Sequence, residues 1–245
     1  MSRFKLTIEY DGTNFVGWQV QDNGPTIQAE LLRAIKAFSG EDVTLRGSGR
    51  TDAGVHALGQ VVHFDLETEC GTRRICDAIN QHMKPLPIAV LDCVPVEDTF
   101  DARFSATRRH YLYRIINRRA PLTLMTNRAW HVGRPLDVEA MQDAAKLLVG
   151  HHDFTTFRSS RCQSKSPLKT IDAIEIVKTS NEIIMNISAR SFMHNQVRSI
   201  MGSLKLIGDG KWTKKELRAA LDAKDRKRCG TVAPACGLYL TRVDY

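Results

Sequence analysis

The stretch that decides the fold is Gly47-Ser48-Gly49-Arg50-Thr51-Asp52-Ala53-Gly54-Val55-His56-Ala57, which runs into an apolar segment at 58–64. Three glycines within eight residues disfavour a helix, because glycine leaves the backbone free and lowers helix stability. We therefore predict a shaped loop followed by a strand that can hold it rigid. Such a loop presents a guanidinium, a carboxylate and an imidazole from Arg50, Asp52 and His56, as an active-site loop does.

Asp52 has a simpler interpretation as well. Aspartate is a common turn residue that accepts hydrogen bonds from its own backbone, so 50–54 is also compatible with an ordinary Asx-turn. The pattern alone leaves both interpretations open.

Length and composition predict a globular protein. A chain of 245 residues with 42% hydrophobic content forms one large domain or two of ordinary size. No apolar run approaches the roughly 20 residues that cross a bilayer, and no export signal is evident, so we expect a cytoplasmic protein with no membrane partner. The six cysteines form no Cys-x-x-Cys pair and the eight histidines stand at no metal-binding spacing, so we expect reduced thiols and no metal.

Charge is divided unevenly along the chain. Residues 1–101 contain 9 Lys and Arg against 15 Asp and Glu, whereas residues 102–245 contain 26 against 12. Within the second part, residues 102–136 hold eight arginines and no acidic residue. Basic groups mixed with aromatic rings suit a nucleic-acid surface, although a solvated basic face is the alternative. The candidate RNA contacts in this segment are Arg108, Arg109, Arg118 and Arg119, and the interleaved rings are Phe104, Tyr111, Tyr113 and Trp130.

Residue periodicity divides the first half into β-α-β-β-α-β. Phe4, Leu6 and Ile8 alternate with polar residues as in a half-buried strand. Thr26 can cap a helix that ends at Gly40. The other predicted elements are strands at 43–45, 58–64 and 88–94 and a helix at 73–82.

The second half repeats this order. Its predicted elements are a strand at 106–116, a helix from Asp137 to Gly150, a hairpin of 170–178 with 182–189, a helix from Met193 to Gly208, a short helix opened by the capping box Thr213–Glu216, and a strand at 237–243. The repetition predicts an α+β protein of two ferredoxin-like domains, 1–104 and 105–245, related by a pseudo-twofold.

The run 49–57 resembles the signature of the TruA family of tRNA pseudouridine synthases, in which the aspartate is the essential catalytic residue. Segments at 109–113, 153–157, 192–198 and 233–240 also resemble family segments, so the likeness covers both halves. One departure is that relatives often have Arg-Tyr-Arg-Tyr where this chain has His110-Tyr111-Leu112-Tyr113.

The resemblance implies roles for four residues. Asp52 is the catalytic carboxylate, Arg198 is brought to it by its helix, Tyr111 stacks on the target uracil, and Arg50 fills the vacated space or holds the phosphate. The pattern alone favours core packing for Tyr111, which shares a strand face with Tyr113. It also favours a surface position for Arg198.

The resemblance further implies isomerisation of uridine to pseudouridine at positions 38 to 40 of the tRNA anticodon arm, without a cofactor. It implies a homodimer, and antiparallel sheets joined across a basic central cleft. Two other functions remain open. A metal-dependent RNA hydrolase would use Asp52, His56 and His63, although the lack of clustered carboxylates argues against it. A non-catalytic RNA-binding module would need the arginines but not Asp52.

Overall fold

The computed structural model describes all 245 residues and divides them into two compact units. The first unit contains residues 1–107 and 239–245, and the second unit contains residues 108–238. The sequence-based division at 104/105 expected 239–245 in the second domain, but these residues belong to the first unit. The last strand of the chain therefore completes the sheet of the first unit.

The chain contains ten strands, paired mostly antiparallel, and five α-helices, which confirms the α+β class. The strands are β1 Ser2–Tyr10, β2 Arg46–Gly47, β3 His56–Leu66, β4 Ile88–Val96, β5 Arg108–Asn117, β6 Trp130–Val132, β7 Gly150–Asp153, β8 Leu168–Thr179, β9 Glu182–Ala189 and β10 Leu238–Asp244. The helices are α1 Ile27–Ser39, α2 Thr72–Met83, α3 Val138–Ala145, α4 Gln196–Gly208 and α5 Lys214–Ala223.

The first unit is a sheet with strand order β4-β1-β3-β10 and helices α1 and α2. Strand β1 pairs antiparallel with β3 and β4, and β10 lies parallel to β3. The predicted alternation in β1 is confirmed, because Leu6 and Ile8 are fully buried. The predicted ends of α1 are confirmed too: Thr26 accepts a hydrogen bond from Ala29 N, and Gly40 adopts the left-handed conformation with φ 76°.

The strand predicted at 43–45 is wrong in position. The structure places a two-residue strand at Arg46–Gly47, where Arg46 pairs with His63 of β3. One physical reason is that the Leu45 carbonyl accepts a hydrogen bond from Gln28 Nε2 at 3.0 Å. That carbonyl is engaged by α1 rather than by a neighbouring strand.

The second unit is a sheet with strand order β5-β9-β8-β7 and helices α3, α4 and α5. Strand β5 pairs antiparallel with β9, and β9 forms the predicted hairpin with β8. Ser180, in the hairpin turn, has φ 55°. The predicted capping box between Thr213 and Glu216 is also present at the start of α5.

Two predicted helices of the second unit are shorter than expected. Helix α3 ends at Ala145, a 3-10 turn follows at Lys146–Leu148, and Gly150 begins β7 instead of ending the helix. Helix α4 begins at Gln196 rather than Met193. Residues 193–196 form a turn, closed by a hydrogen bond from Gln196 N to Met193 O at 3.0 Å.

The uneven charge along the chain follows the division into units. The first unit holds 11 Lys and Arg against 16 Asp and Glu, and the second holds 24 against 11. None of the five helices combines the length and the apolar character needed to cross a bilayer.

We expect Gly202→Ala to destabilise the protein, because α4 passes very close to residue 231. A Cβ at Gly202 would lie 1.7 Å from the Thr231 carbonyl oxygen. Overpacking of this kind costs about 1–3 kcal/mol, occasionally more, which urea unfolding would measure. Gly133→Ala is the control, since its Cβ would lie 3.9 Å from the nearest backbone oxygen. Equal stability of the two variants would contradict the close approach.

Candidate active site

The stretch 48–55 is a loop between β2 and β3, as predicted. Ser48 N donates to Val61 O at 2.8 Å, which ties the start of the loop to β3. Val55 N donates to Asp52 O at 3.1 Å and closes a turn, in which Gly54 has φ 74°. Within this loop Arg50 is exposed and Asp52 is half-buried. Asp52 is therefore partly exposed and lies on a defined backbone.

A second segment, the loop that follows β1, holds the Asp52 loop from the side. Trp18 N donates to Thr51 O at 3.0 Å, and Gly54 N donates to Phe15 O at 3.4 Å. The Tyr10 hydroxyl is 2.8 Å from the Thr51 hydroxyl, within hydrogen-bonding distance. Thr51 and Gly54, which lie on either side of Asp52 in the sequence, are thus both hydrogen-bonded to the segment 15–18.

Gln60 supports the Asp52 loop from β3. Its side chain is fully buried. Oε1 accepts a hydrogen bond from the Ser48 hydroxyl at 2.6 Å, and Nε2 donates to Gly49 O at 2.9 Å. One amide thus binds two polar groups immediately before Arg50, which fixes the backbone where the segment 50–52 begins.

His56 is a structural histidine at the start of β3. It is 2% exposed and stacks on Tyr239, with ring centroids 4.7 Å apart. Gly12 N donates to its Nδ1 at 3.0 Å. A backbone amide is always a donor, so Nδ1 is the acceptor and the proton is on Nε2. The 3.2 Å approach of Asp11 Oδ1 to Nδ1 is therefore not an ion pair.

His63 is held in the same way. Ala102 N donates to its Nδ1 at 3.0 Å, and burial lowers its pKa. The Nδ1 lone pairs of His56 and His63 are thus engaged by backbone amides. No group of three or more His, Cys, Asp or Glu side chains is arranged to hold a metal ion.

The structure separates two tyrosines that the sequence could not distinguish. Tyr113 is fully buried, donates to Pro234 O at 2.7 Å, and its pKa is raised by burial. Tyr111 is only half-buried and contacts Phe192 edge-to-face, with ring centroids 5.2 Å apart. Core packing is therefore correct for Tyr113, whereas Tyr111 retains accessible surface on which a base could stack.

Arg198 lies in the first turn of α4 and is half-buried. Its Nε donates to Ala233 O at 2.8 Å, and its Nη1 donates to Asn195 Oδ1 at 3.0 Å. Its own carbonyl accepts from Ala233 N at 3.1 Å. The guanidinium is thus held at two of its nitrogens, and a simple surface charge does not describe it.

The four arginines predicted to bind RNA differ in exposure. Arg109 is 8% exposed, and its Nη1 donates to Arg190 O at 2.7 Å. Arg108 is exposed and forms an ion pair with Asp172 at 2.9 Å. Arg119 is exposed, and Arg118 Nη2 donates to Pro121 O at 3.0 Å in the same loop. A phosphate contact is sterically easiest for Arg108, Arg118 and Arg119.

The predicted residues form one group in each unit. In the first unit, Arg50 and Asp52 share a loop that runs into β3 at His56. In the second unit, Tyr111 and Arg198 both contact the segment that precedes α4. Phe192 of this segment packs against Tyr111, and Asn195 accepts a hydrogen bond from Arg198.

The residues that support these groups could not all be identified from the sequence pattern. Gln60 stands among apolar residues in the 58–64 run, and a polar side chain at a buried strand position was a signal that it has hydrogen-bond partners. Tyr10 and Trp18 gave no such signal, because aromatic residues in a strand and a loop are equally explained by packing.

Comparison with known proteins identifies a family. A model of the family described as tRNA pseudouridine synthase matches residues 6–105 and 144–245. The chain is 57% identical to tRNA pseudouridine synthase A of Parvibaculum lavamentivorans over the whole of both chains. It is 56% identical to the protein of that name from Maricaulis maris, covering 100% of this chain and 98% of the other. The one from Sinorhizobium fredii is 54% identical over the full length of both.

We expect Gln60→Leu to destabilise the protein, because it removes the hydrogen bonds that the Gln60 side chain makes to the Ser48 hydroxyl and the Gly49 carbonyl. Each such hydrogen bond contributes about 0.5–1.5 kcal/mol to the free energy of unfolding, which urea unfolding would measure. Gln81→Leu, at an exposed position on α2, is the matched control. A Gln60→Leu protein as stable as the control would show that these hydrogen bonds do not hold the loop.

Proposed function

The chain belongs to the tRNA pseudouridine synthase family, and from this premise we propose that it isomerises uridine to pseudouridine at positions 38 to 40 in the anticodon arm of tRNA. Asp52 is the catalytic residue in this proposal. The observation that carries it is the half-buried Asp52 carboxylate on a loop tied to two neighbouring segments. Such a loop keeps a reacting group in place while a large substrate binds.

The reaction rearranges bonds within one nucleotide. The N1–C1′ glycosidic bond breaks, the uracil turns, and C5 bonds to C1′ before the C5 proton is lost and N1 is protonated. Reactants and products have the same composition, so neither a redox cofactor nor a co-substrate is required. The Asp52 carboxylate can act as nucleophile at C1′ or remove the C2′ proton. Both routes need an ionised carboxylate beside the ribose.

We assign Arg198 to Asp52 in this proposal. A guanidinium that pairs with the carboxylate favours its ionised form and fixes its rotamer. The support is that Arg198 is held at Nε and Nη1 by Ala233 and Asn195, so that its fork has a defined orientation.

Tyr111 and Arg50 receive the roles that concern the target nucleotide. A uridine stacked in RNA must be flipped before it can react, which costs a few kcal/mol, and stacking on an aromatic ring worth about 1–3 kcal/mol offsets this cost. The half-buried ring of Tyr111 beside Phe192 supports the stacking role. Arg50 is exposed two residues before Asp52, where it can fill the space that the base leaves or hold its phosphate.

Positive charge on the second unit supports tRNA as the partner. An excess of basic groups over acidic ones attracts a polyanion and makes its binding depend on salt. Arg108, Arg118 and Arg119 are assigned to phosphate contacts, whereas buried Arg109 is assigned to holding β5 against Arg190. We place the enzyme in the cytoplasm as a homodimer.

Asp52→Asn is expected to abolish pseudouridine formation while tRNA affinity stays within a few fold, because the amide is nearly isosteric but is neither a base nor a nucleophile. Pseudouridine, which does not change the mass of the RNA, is measured by carbodiimide labelling of tRNA after incubation in EDTA. Asp77→Asn, at an exposed site on α2, is the control. Retained turnover in Asp52→Asn would overturn the assignment. With the unmutated protein, tRNA cleavage that requires added Mg²⁺ and stops in EDTA would indicate a metal-dependent hydrolase, and tRNA binding without any pseudouridine formation would indicate an RNA-binding module.

Replacing Arg118 and Arg119 together by alanine is expected to weaken tRNA binding and reduce its salt dependence. Each lost phosphate contact lowers the slope of log K against log salt by about 0.7 to 0.9. Arg73→Ala with Arg74→Ala is the matched control, since these adjacent arginines are exposed on α2 of the acidic first unit. A slope equal to that of the wild type would show that Arg118 and Arg119 belong to a solvated basic face that does not contact tRNA.

A further inference from the structure

The segment that precedes α4 is a tight turn with an unusual conformation at Asn195. Gln196 N donates to Met193 O at 3.0 Å, and Met193 N donates to Gln196 Oε1 at 2.9 Å, so the turn is closed twice. Asn195 has φ 63° and ψ 3°, close to the values that a type II turn requires at its third residue. Glycine is the usual residue there, and asparagine is tolerated.

The side chain of Asn195 does not cap helix α4, although Asn195 stands at the N-cap position. It is the N-cap of α4, where a side-chain oxygen normally accepts a hydrogen bond from a backbone amide of the first turn. Asn195 makes no such bond. Its Oδ1 accepts from Arg198 Nη1 at 3.0 Å instead, while its main-chain oxygen accepts from Ser199 N at 2.8 Å.

The Arg198 guanidinium makes a second hydrogen bond, and the two bonds together fix its orientation. Ala233 O accepts from Nε at 2.8 Å, on a segment tied to α4 by the bond from Ala233 N to Arg198 O. The guanidinium is planar, so oxygens that bind Nε and Nη1 together define both the position and the tilt of its plane. Asn195 Oδ1 and Ala233 O are neutral, and they orient the cation without cancelling its charge.

We propose that Asn195 is a positioning residue that fixes the plane of the Arg198 guanidinium. The inference rests on the proposed function, because the proposed function assigns Arg198 to pair with Asp52 and fix its rotamer. The competing explanation is that asparagine stands here only because the turn needs a residue that accepts a positive φ. These two explanations make opposite predictions for glycine at this position.

Asn195→Gly separates them, since glycine adopts the left-handed conformation at least as readily and removes only the side-chain oxygen. We expect kcat for tRNA pseudouridine formation to fall roughly tenfold to a hundredfold, as the loss of one hydrogen bond to a charged group implies. The KM for tRNA should change less than about threefold, and the melting temperature should not fall. Ser180→Gly, which replaces another residue of positive φ in the second unit, is the matched control and should behave as the wild type.

A double variant tests whether Asn195 acts through Arg198. Arg198→Lys keeps the charge but removes the fork, so adding Asn195→Gly to it should cost less than about threefold more, because the two residues act as a unit. Wild-type kcat in Asn195→Gly, or losses that multiply in the double variant, would overturn the inference. A melting temperature well below that of Ser180→Gly would do the same, by showing a structural role. If the wild type forms no pseudouridine, the proposed function itself fails and this inference falls with it.

Discussion

The backbone hydrogen bond from Trp18 to Thr51 is the constraint on which the candidate site depends. A glycine-rich loop of eight residues has many accessible conformations, and ordering each residue costs roughly 1–2 kcal/mol. The bonds that offset this cost come from outside the loop: Trp18 N and Phe15 O on one side, and the Val61 carbonyl and the Gln60 amide of β3 on the other. Gly12 completes the contact, since a Cβ there would lie 2.0 Å from Val55 O. The glycines allow the shape, and the neighbouring segments select it.

Much of the fold could be predicted because its signals are local. The alternation in β1, the Thr26 and Gly40 caps of α1 and the capping box of α5 each depend on a few adjacent residues, and all are present. The wrong predictions occur where a contact with a residue distant in the sequence determines the local structure. Gln28 takes the Leu45 carbonyl and shifts β2, and pairing with β8 makes a strand at Gly150 where a helix end was expected.

In the candidate site, too, features set by local sequence could be predicted, and features set by distant contacts could not. Arg50 and Asp52 could be placed in a loop from the glycine pattern, because φ freedom is a property of the residue itself. Tyr111 and Tyr113 could not be separated, since both face one side of β5 and their difference arises from neighbours far along the chain, Phe192 and Pro234. Arg109 looked like its exposed neighbours for the same reason, although it is buried and donates a hydrogen bond to Arg190 O.

The arginines of the second unit show why partner chemistry matters more than arginine count. Arg108 and Arg114 face carboxylates, Asp172 and Glu182, in ion pairs that neutralise charge at partly exposed positions and contribute little to stability. Two of the partners of Arg198 are of another kind, because an amide oxygen and a backbone carbonyl bind its Nη1 and Nε and restrict its motion without adding a negative charge. An arginine count treats all of these side chains alike, whereas the chemistry of the partner atoms distinguishes an arginine in a surface ion pair from one whose guanidinium plane is fixed by neutral oxygens.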